Sequence, residues 1–285
     1  MGRYPNGVKR KSDIRVTPKD RNFKIVNSCN GFLWLSEPTS NEPVVVCNPI
    51  TGEYINLPVG KGRPSKKTQY FVDCGFGFSP RTNQYKVIRM FERQFAARAR
   101  GGARMSCCTP ETGWINYSSG IEICTLGEGS WKSIGDAPFL YCNLTFPTYL
   151  EGCVHWLLYQ EFRGHSRTLN IVCFSFDKEQ FKLFSSPRQY QKCYANYIVD
   201  LGVVHNVSMG VLDGCLCICD ANYDPIYIWV MKKYGVGKSW TKMFSIRNQP
   251  DQSWPYGLYQ PINYLKNGEV LLFHYDTCAL ICYDP

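Results

Sequence analysis

The chain has 285 residues, 44% hydrophobic, 15% aromatic and 19% charged, with a formal net charge of +9. That apolar share supports a sizeable core and excludes a disordered body, and chains of this length occur as single all-β barrels or propellers. No apolar run reaches the roughly eighteen residues of a membrane-spanning helix, and the polar, basic start "MGRYPNGVKRKSD" lacks the apolar stretch of a secretory signal.

In chain order, "NFKIVNSCNGFLWLSE" reads as two strands around Asn30-Gly31, because Asn-Gly accepts the positive φ angles of a two-residue hairpin. "VVVCNPITGEYINLP" adds two more strands around a Pro-Ile-Thr-Gly turn and completes a unit of four. "FVDCGFGFSPRTNQYKVIRMF" is strand, turn, strand, and "GIEICTLGEGSWKSIG" supplies the second pair of the next unit. "TFPTYLEGCVHWLLY", turning at Glu151-Gly152, is followed by "LNIVCFSFDKEQFKLFSSP". "NVSMGVLDGCLCICDA", turning at Asp213-Gly214, is followed by "IYIWVMKKYGVGKSWTKMFSI". Finally "QPINYLKNGEVLLFHYD", turning at Asn267-Gly268, leads to "CALICYDP".

No stretch holds a helical period. Strand-turn units recurring every roughly 50 to 70 residues predict an all-β fold, a β-propeller of about five to six four-stranded blades. A single blade leaves both sheet faces apolar, and packing between neighbours buries them. The load of Tyr and Phe follows from that need. The expected division is a basic N-terminal segment over 1–22 and the propeller over 23–285. Within the first, "SDIRVTPK" (Ser12 to Lys19) alternates Ile14 and Val16, and is expected to pair beside Ala279 to Tyr283 and close the ring.

Fifteen cysteines raise the question of disulfides or metal. Cys215, Cys217 and Cys219 alternate along a strand, and Cys29, Cys47, Cys124, Cys153, Cys173 and Cys282 sit in apolar runs, so reduced, buried thiols are expected. Cys107 and Cys108 are adjacent, a poor spacing for a tetrahedral site, and no C-x-x-C pair accompanies them. Of the four histidines, His155 and His274 read as satisfied strand residues, while His165 and His205 join no triad pattern. Gly75-Phe76-Gly77 lacks the later Gly and Lys of a phosphate loop. Asp213, Asp220 and Asp224 are placed by a turn and by strand ends rather than as a calcium set. No catalytic group, cofactor or metal is expected.

The chemistry left is surface chemistry. The loop Trp254-Pro255-Tyr256-Gly257-Leu258-Tyr259 offers Trp254, Tyr256 and Tyr259 as candidate partner anchors, since Trp and Tyr dominate protein interfaces. The basic insertion over 94–114 offers Arg98, Arg100 and Arg104 as candidate contacts to an acidic surface, and Lys61 to Lys67 is a second basic run.

The segments "SCNGFLWL", "VCNPITGEYINLP", "GFGFSPRTNQYKVIRM", "IEICTLGEGSWKSI", "LEGCVHWL", "IVCFSFDKEQF", "MGVLDGCLCI" and "IYIWVMKKYGVGKSWTKMFSI" occur in this order. Together they resemble the F-box-associated domain of plant F-box proteins, kelch-like relatives included, over about residues 23 to 285. The resemblance implies a propeller that captures a protein substrate for a cullin-type ubiquitin ligase and is not itself catalytic. It also implies an N-terminal helical F-box that binds the ligase adaptor. The residues before Phe23 show no helical apolar pattern, so adaptor binding is expected only of a longer form. The alternatives are a propeller that binds nucleic acid or an acidic partner through its basic loops, and a propeller enzyme. Few aromatic residues interleave the basic ones, which weakens stacking on bases, and no convergent acids mark an active site. A cytoplasmic or nuclear location is expected, with no membrane contact.

Overall fold

The computed structural model describes residues 23–36, 43–58, 69–96, 115–136, 138, 144–162, 166–190, 206–222, 224–247 and 254–285. Five antiparallel sheets account for nearly all of them, and each runs in chain order. The first is β1 (Lys24–Cys29), β2 (Phe32–Ser36), β3 (Pro43–Cys47) and β4 (Tyr54–Asn56). The second is β5 (Gln69–Ser79), β6 (Gln84–Ala96), β7 (Ile115–Thr125) and β8 (Lys132–Gly135). The third is β9 (Leu144–Leu150), β10 (Cys153–Phe162), β11 (Ser166–Ser175) and β12 (Gln180–Ser185). The fourth is β13 (Val207–Leu212), β14 (Cys215–Asp220), β15 (Ile226–Met231) and β16 (Trp240–Ile246). The fifth has three strands among the described residues: β17 (Tyr259–Tyr264), β18 (Val270–His274) and β19 (Ala279–Tyr283).

These meanders are the blades of a β-propeller, the fold class the strand pattern predicts. Among the described residues the helical turns are two three-residue 3-10 segments, Arg188–Tyr190 and Gly237–Ser239. The closing strand expected over Ser12 to Lys19 lies outside the described residues. The chain forms two compact units: residues 1–141 with Phe176–Glu179, and Cys142–Ser175 with Gln180–Pro285.

Turn chemistry sets the hairpins. Asn30 (φ 49°) with Gly31 (81°), Glu151 (47°) with Gly152 (74°), and Asp213 (48°) with Gly214 (67°) put both central residues at positive φ. Such turns match the right-handed twist of the flanking strands. Asn267-Gly268 differs. Only Gly268 has positive φ, Gly268 N–H donates to Leu265 O at 3.0 Å and Leu265 N–H to Glu269 O at 2.8 Å, so this turn is one residue longer. In the Pro-Ile-Thr-Gly turn, Asn48 Oδ1 accepts from Ile50 N–H (3.0 Å) and Thr51 N–H (3.2 Å). Asn48 O accepts from Gly52 N–H at 2.9 Å.

In the second unit both faces of one sheet are buried. Along β14, Leu216 and Ile218 pack with Leu157, Ile171 and Met209 on one side. Cys217 and Cys219 pack with Tyr259, Val270 and Leu272 on the other. The innermost strands are also stitched through their backbones. Gln260 Nε2 donates to Met209 O at 2.8 Å, Ser208 Oγ donates to Tyr259 O, and a Cβ on Gly210 would collide with Pro261 O. In the first unit one side chain does this job: Asn27 Nδ2 donates to Phe76 O (2.8 Å) and Asn27 Oδ1 accepts from Phe76 N–H (3.1 Å).

The outer ends are clamped by indoles. Trp131, just before β8, donates Nε1–H to Pro58 O just after β4, at 2.7 Å. Trp240, at the start of β16, donates to Ser185 O at the end of β12, at 2.9 Å. The Trp131 ring also covers the guanidinium of buried Arg89 at 5.0 Å, which is paired to Glu122 Oε2 at 2.6 and 2.8 Å. Replacing Trp240 by Phe keeps most of the packing and deletes the N–H. The expected cost is about 1 kcal/mol, read as a melting temperature lower by about 2–4 °C in thermal denaturation.

Candidate partner-binding site

The loop entering β17 carries the aromatic residues singled out above, and the second unit holds it on a rigid stand. Tyr259 is fully buried. Its ring lies 4.5 Å from that of His274, tilted by 37°, and its hydroxyl donates back to Pro255 O. Burial, with Cys219 and Asp276 nearby, pushes the Tyr259 phenol up to about 12. His274, also fully buried, faces Tyr256 O through Nε2 at 3.3 Å and Thr277 Oγ1 through Nδ1 at 2.7 Å. A carbonyl only accepts, so Nε2 carries the proton and Nδ1 accepts from the threonine hydroxyl. Gly257 (φ 145°) passes so close to the Asp276 carboxylate and the His274 ring that no Cβ fits there.

Trp254 is half-buried, edge-on to Tyr259 and to Tyr283 at 5.9 Å each. Tyr256 projects from this platform and is 79% exposed. Beside it opens a cavity of about 130 Å³ lined by Trp254, Pro255, Tyr256 and Tyr259 on one side, and by Asn222, Asp224 and Ile226 on the other. The opposite wall is pinned by Asp220, whose carboxylate accepts from Asn222 N–H (3.1 Å), Asn222 Nδ2 (2.9 Å) and the Tyr190 hydroxyl (2.6 Å). Burial and the Asp220 charge push the Tyr190 phenol well above its ordinary range. A cavity this size takes one side chain, comparable to the roughly 150 Å³ that hold a benzene ring.

The three aromatic candidates therefore come together with different parts: Tyr256 as the exposed tip, Trp254 as a wall, Tyr259 as the floor. Sequence reasoning missed Asn222 and Asp224, which reach the same cavity from the β14–β15 connection; only the fold brings them within range. Arg98, Arg100 and Arg104 lie outside the described residues, as do Lys61 to Lys67, Cys107, Cys108, His165 and His205.

The expectation of buried cysteines holds only in part. The described cysteines are free thiols, and Cys29, Cys74, Cys124, Cys173, Cys217 and Cys219 are buried, but Cys47, Cys153 and Cys215 are half-buried and Cys278 and Cys282 are exposed. On β19 the alternating pattern turns Ile281 and Tyr283 toward the core and Leu280 and Cys282 outward. An apolar run on an outermost described strand therefore does not mean burial on both faces. Burial raises the Cys124 thiol to about 11 and Cys217 further still. Among the described residues no group of three or more His, Cys, Asp or Glu side chains is placed to hold a metal ion.

His155 behaves as a satisfied strand histidine. It is fully buried, with Nδ1 3.1 Å from Thr148 O and Nε2 2.8 Å from the Tyr234 hydroxyl. Tyr234 lies 79 residues away in the chain, a partner that no local pattern announces.

Five antiparallel meanders of this kind define the class as a β-propeller. The chain belongs to the F-box associated beta propeller domain family, whose model matches residues 6–284. Similar proteins include F-box protein At3g07870 of Arabidopsis thaliana, 28% identical over 97% of this chain and 67% of its own length. F-box protein CPR1 of the same plant is 28% identical over 92% of this chain and 61% of its own length. The chain thus spans about three fifths to two thirds of the length of these two relatives. Among solved structures, polysaccharide lyase Uly1 matches at TM-score 0.31 and 9% identity, over 92% of this chain and 68% of that one, a likeness too slight to bear on activity.

Burial lowers the His155 pKa from 6.5 to about 4, against the raising effect of the Thr148 carbonyl. The folded chain holds the ring neutral while the unfolded chain protonates it. The associated stability is present above pH 6.5 and is lost as pH falls toward 4, about 3 kcal/mol in all. In urea unfolding between pH 7 and 4, His155→Gln should show a flatter decline than the parent, and parallel declines would contradict this.

Proposed function

We propose that this chain is a non-enzymatic receptor that captures a protein partner through the loop at Tyr256, as the substrate-binding portion of an F-box-type ubiquitin ligase, in the cytoplasm or nucleus. The observation that carries the reading is a large aromatic side chain, 79% exposed, at the mouth of a one-side-chain cavity with a rigid floor. Exposing a tyrosine beside an apolar pocket gains nothing for folding. Exposed Tyr beside a desolvated pocket is the usual composition of an interface hot spot. The family and the F-box names of its relatives support the ligase context.

The pocket would accept one apolar side chain of the partner, with the Asn222 and Asp224 wall offering polar contacts at its rim. Adaptor contact belongs to a helical F-box motif and not to the blades.

The test compares the parent with Tyr256→Ala as bait in plant extract, with quantitative mass spectrometry of captured proteins. Tyr256 supports no core, so the variant should melt within a degree or so of the parent. A defined set of partners should fall by about tenfold or more. Identical capture by both baits would place binding elsewhere.

A further inference from the structure

The cavity beside Tyr256 can be read for charge as well as for size. Asp224 on its wall is exposed, and an ionised carboxylate only accepts hydrogen bonds. Asn222 Nδ2 donates to Asp220 Oδ1 at 2.9 Å, which fixes the amide's orientation and leaves Asn222 Oδ1 as an acceptor. On the other side the Tyr259 hydroxyl is already spent on Pro255 O. Among the described residues no lysine, arginine or histidine lines the cavity. Arg247, next to the lining residue Ile246 in sequence, is exposed and is not among the lining side chains. A further carboxylate, that of Asp276, lies against Gly257 in the loop itself. In a chain of net charge +9, this aromatic-walled cavity is therefore bordered by acceptors and negative charge.

We propose that the cavity is a cation-selective subsite that takes an arginine side chain of the protein partner, an inference that rests on the partner-binding role of the Tyr256 loop. The apolar part of the occupant is then the arginine's own stem. Its three methylenes lie against the Trp254 and Tyr259 rings, and its guanidinium reaches the wall formed by Asn222 and Asp224, under the ring of Tyr256.

The chemistry of the walls favours this occupant over the alternatives. An all-hydrocarbon side chain brings no donor for the Asn222 oxygen, and covering an acceptor unpaired costs affinity. A guanidinium brings five N–H donors in a plane, can meet a carboxylate through two of them, and stacks on aromatic faces. A lysine ammonium is compact and more strongly hydrated, so it gives up more on entering a cavity of this kind.

The protein uses the same combination within its own core. The buried Arg89 guanidinium lies 5.0 Å from the Trp131 ring and 5.4 Å from the Phe91 ring, and is paired to the Glu122 carboxylate. At Tyr256 the same two components, aromatic rings and a carboxylate, line a cavity that a partner can enter.

The test is saturation-transfer NMR on the full chain with acetylated, amidated pentapeptides, Ala-Ala-X-Ala-Ala, where X is arginine, citrulline, lysine or norleucine. Citrulline keeps the shape of arginine without its charge, and norleucine keeps only hydrocarbon. The arginine peptide should bind about tenfold more tightly than the citrulline and norleucine peptides. Its advantage should shrink as NaCl is raised from roughly 50 to 500 mM. Asp224→Asn should bring arginine down to the level of citrulline, and Tyr256→Ala should weaken arginine binding about fivefold or more. If citrulline, norleucine or lysine binds the parent as tightly as arginine, the proposal is overturned. Dependence of that binding on Tyr256 would then leave the partner-binding reading standing. Absence of binding by every peptide also overturns the arginine subsite, and the capture comparison of parent with Tyr256→Ala decides the broader reading separately. Because the four peptides are compared on the parent, misfolding of a variant does not rescue the proposal.

Discussion

A four-stranded sheet with apolar side chains on both faces cannot stand by itself in water, and every other feature here answers that constraint. Strand β14 shows it most plainly: Leu216 and Ile218 need one neighbour while Cys217 and Cys219 need another. At roughly 25 cal/mol per Å² of buried apolar area, covering both faces outweighs any single hydrogen bond. The polar stitches between adjacent blades fix the distance and register at which that covering occurs. Asn27, Gln260 and Ser208 do so near the innermost strands, and Trp131 and Trp240 at the outer ends.

The same rigidity makes the Tyr256 loop usable. A loop lined by aromatic residues would collapse onto the nearest apolar surface unless something held its base. Here Tyr259 and His274 are that base, and the His274 ring holds Tyr256 O by its Nε2–H. Gly257 allows the chain to pass over the Asp276 carboxylate. Rotamer freedom is then left to the tip, where a partner would restrict only one side chain on binding.

What could be read in the sequence was local, and what could not was long-range. Positive φ at Asn30, Glu151 and Asp213 follows from the Gly that comes next and the alternation on either side, so those hairpins were legible. Asn267-Gly268 carries the same letters but sits in a longer turn. Its preceding Lys266 belongs to the loop rather than the strand, a distinction that the apolar pattern does not encode. The exposure of Cys282 was hidden for a similar reason, since an apolar run reads alike on a central strand and on an outer one. The cavity at Tyr256 was legible only on its Trp254–Tyr259 side. Asn222, Asp224 and the Tyr234–His155 bond depend on chain segments that meet through tertiary structure alone.

The indole clamps have a consequence for how the molecule loosens. An outer strand of an isolated sheet would fray first, exchanging its amide protons with solvent in small independent openings. Here the start of β8 is tied through Trp131 to Pro58, two residues beyond β4, and the start of β16 through Trp240 to the end of β12. Releasing either strand strands a carbonyl on the sheet before it. Opening of either outer strand is therefore shared between two neighbouring blades rather than confined to a single hairpin.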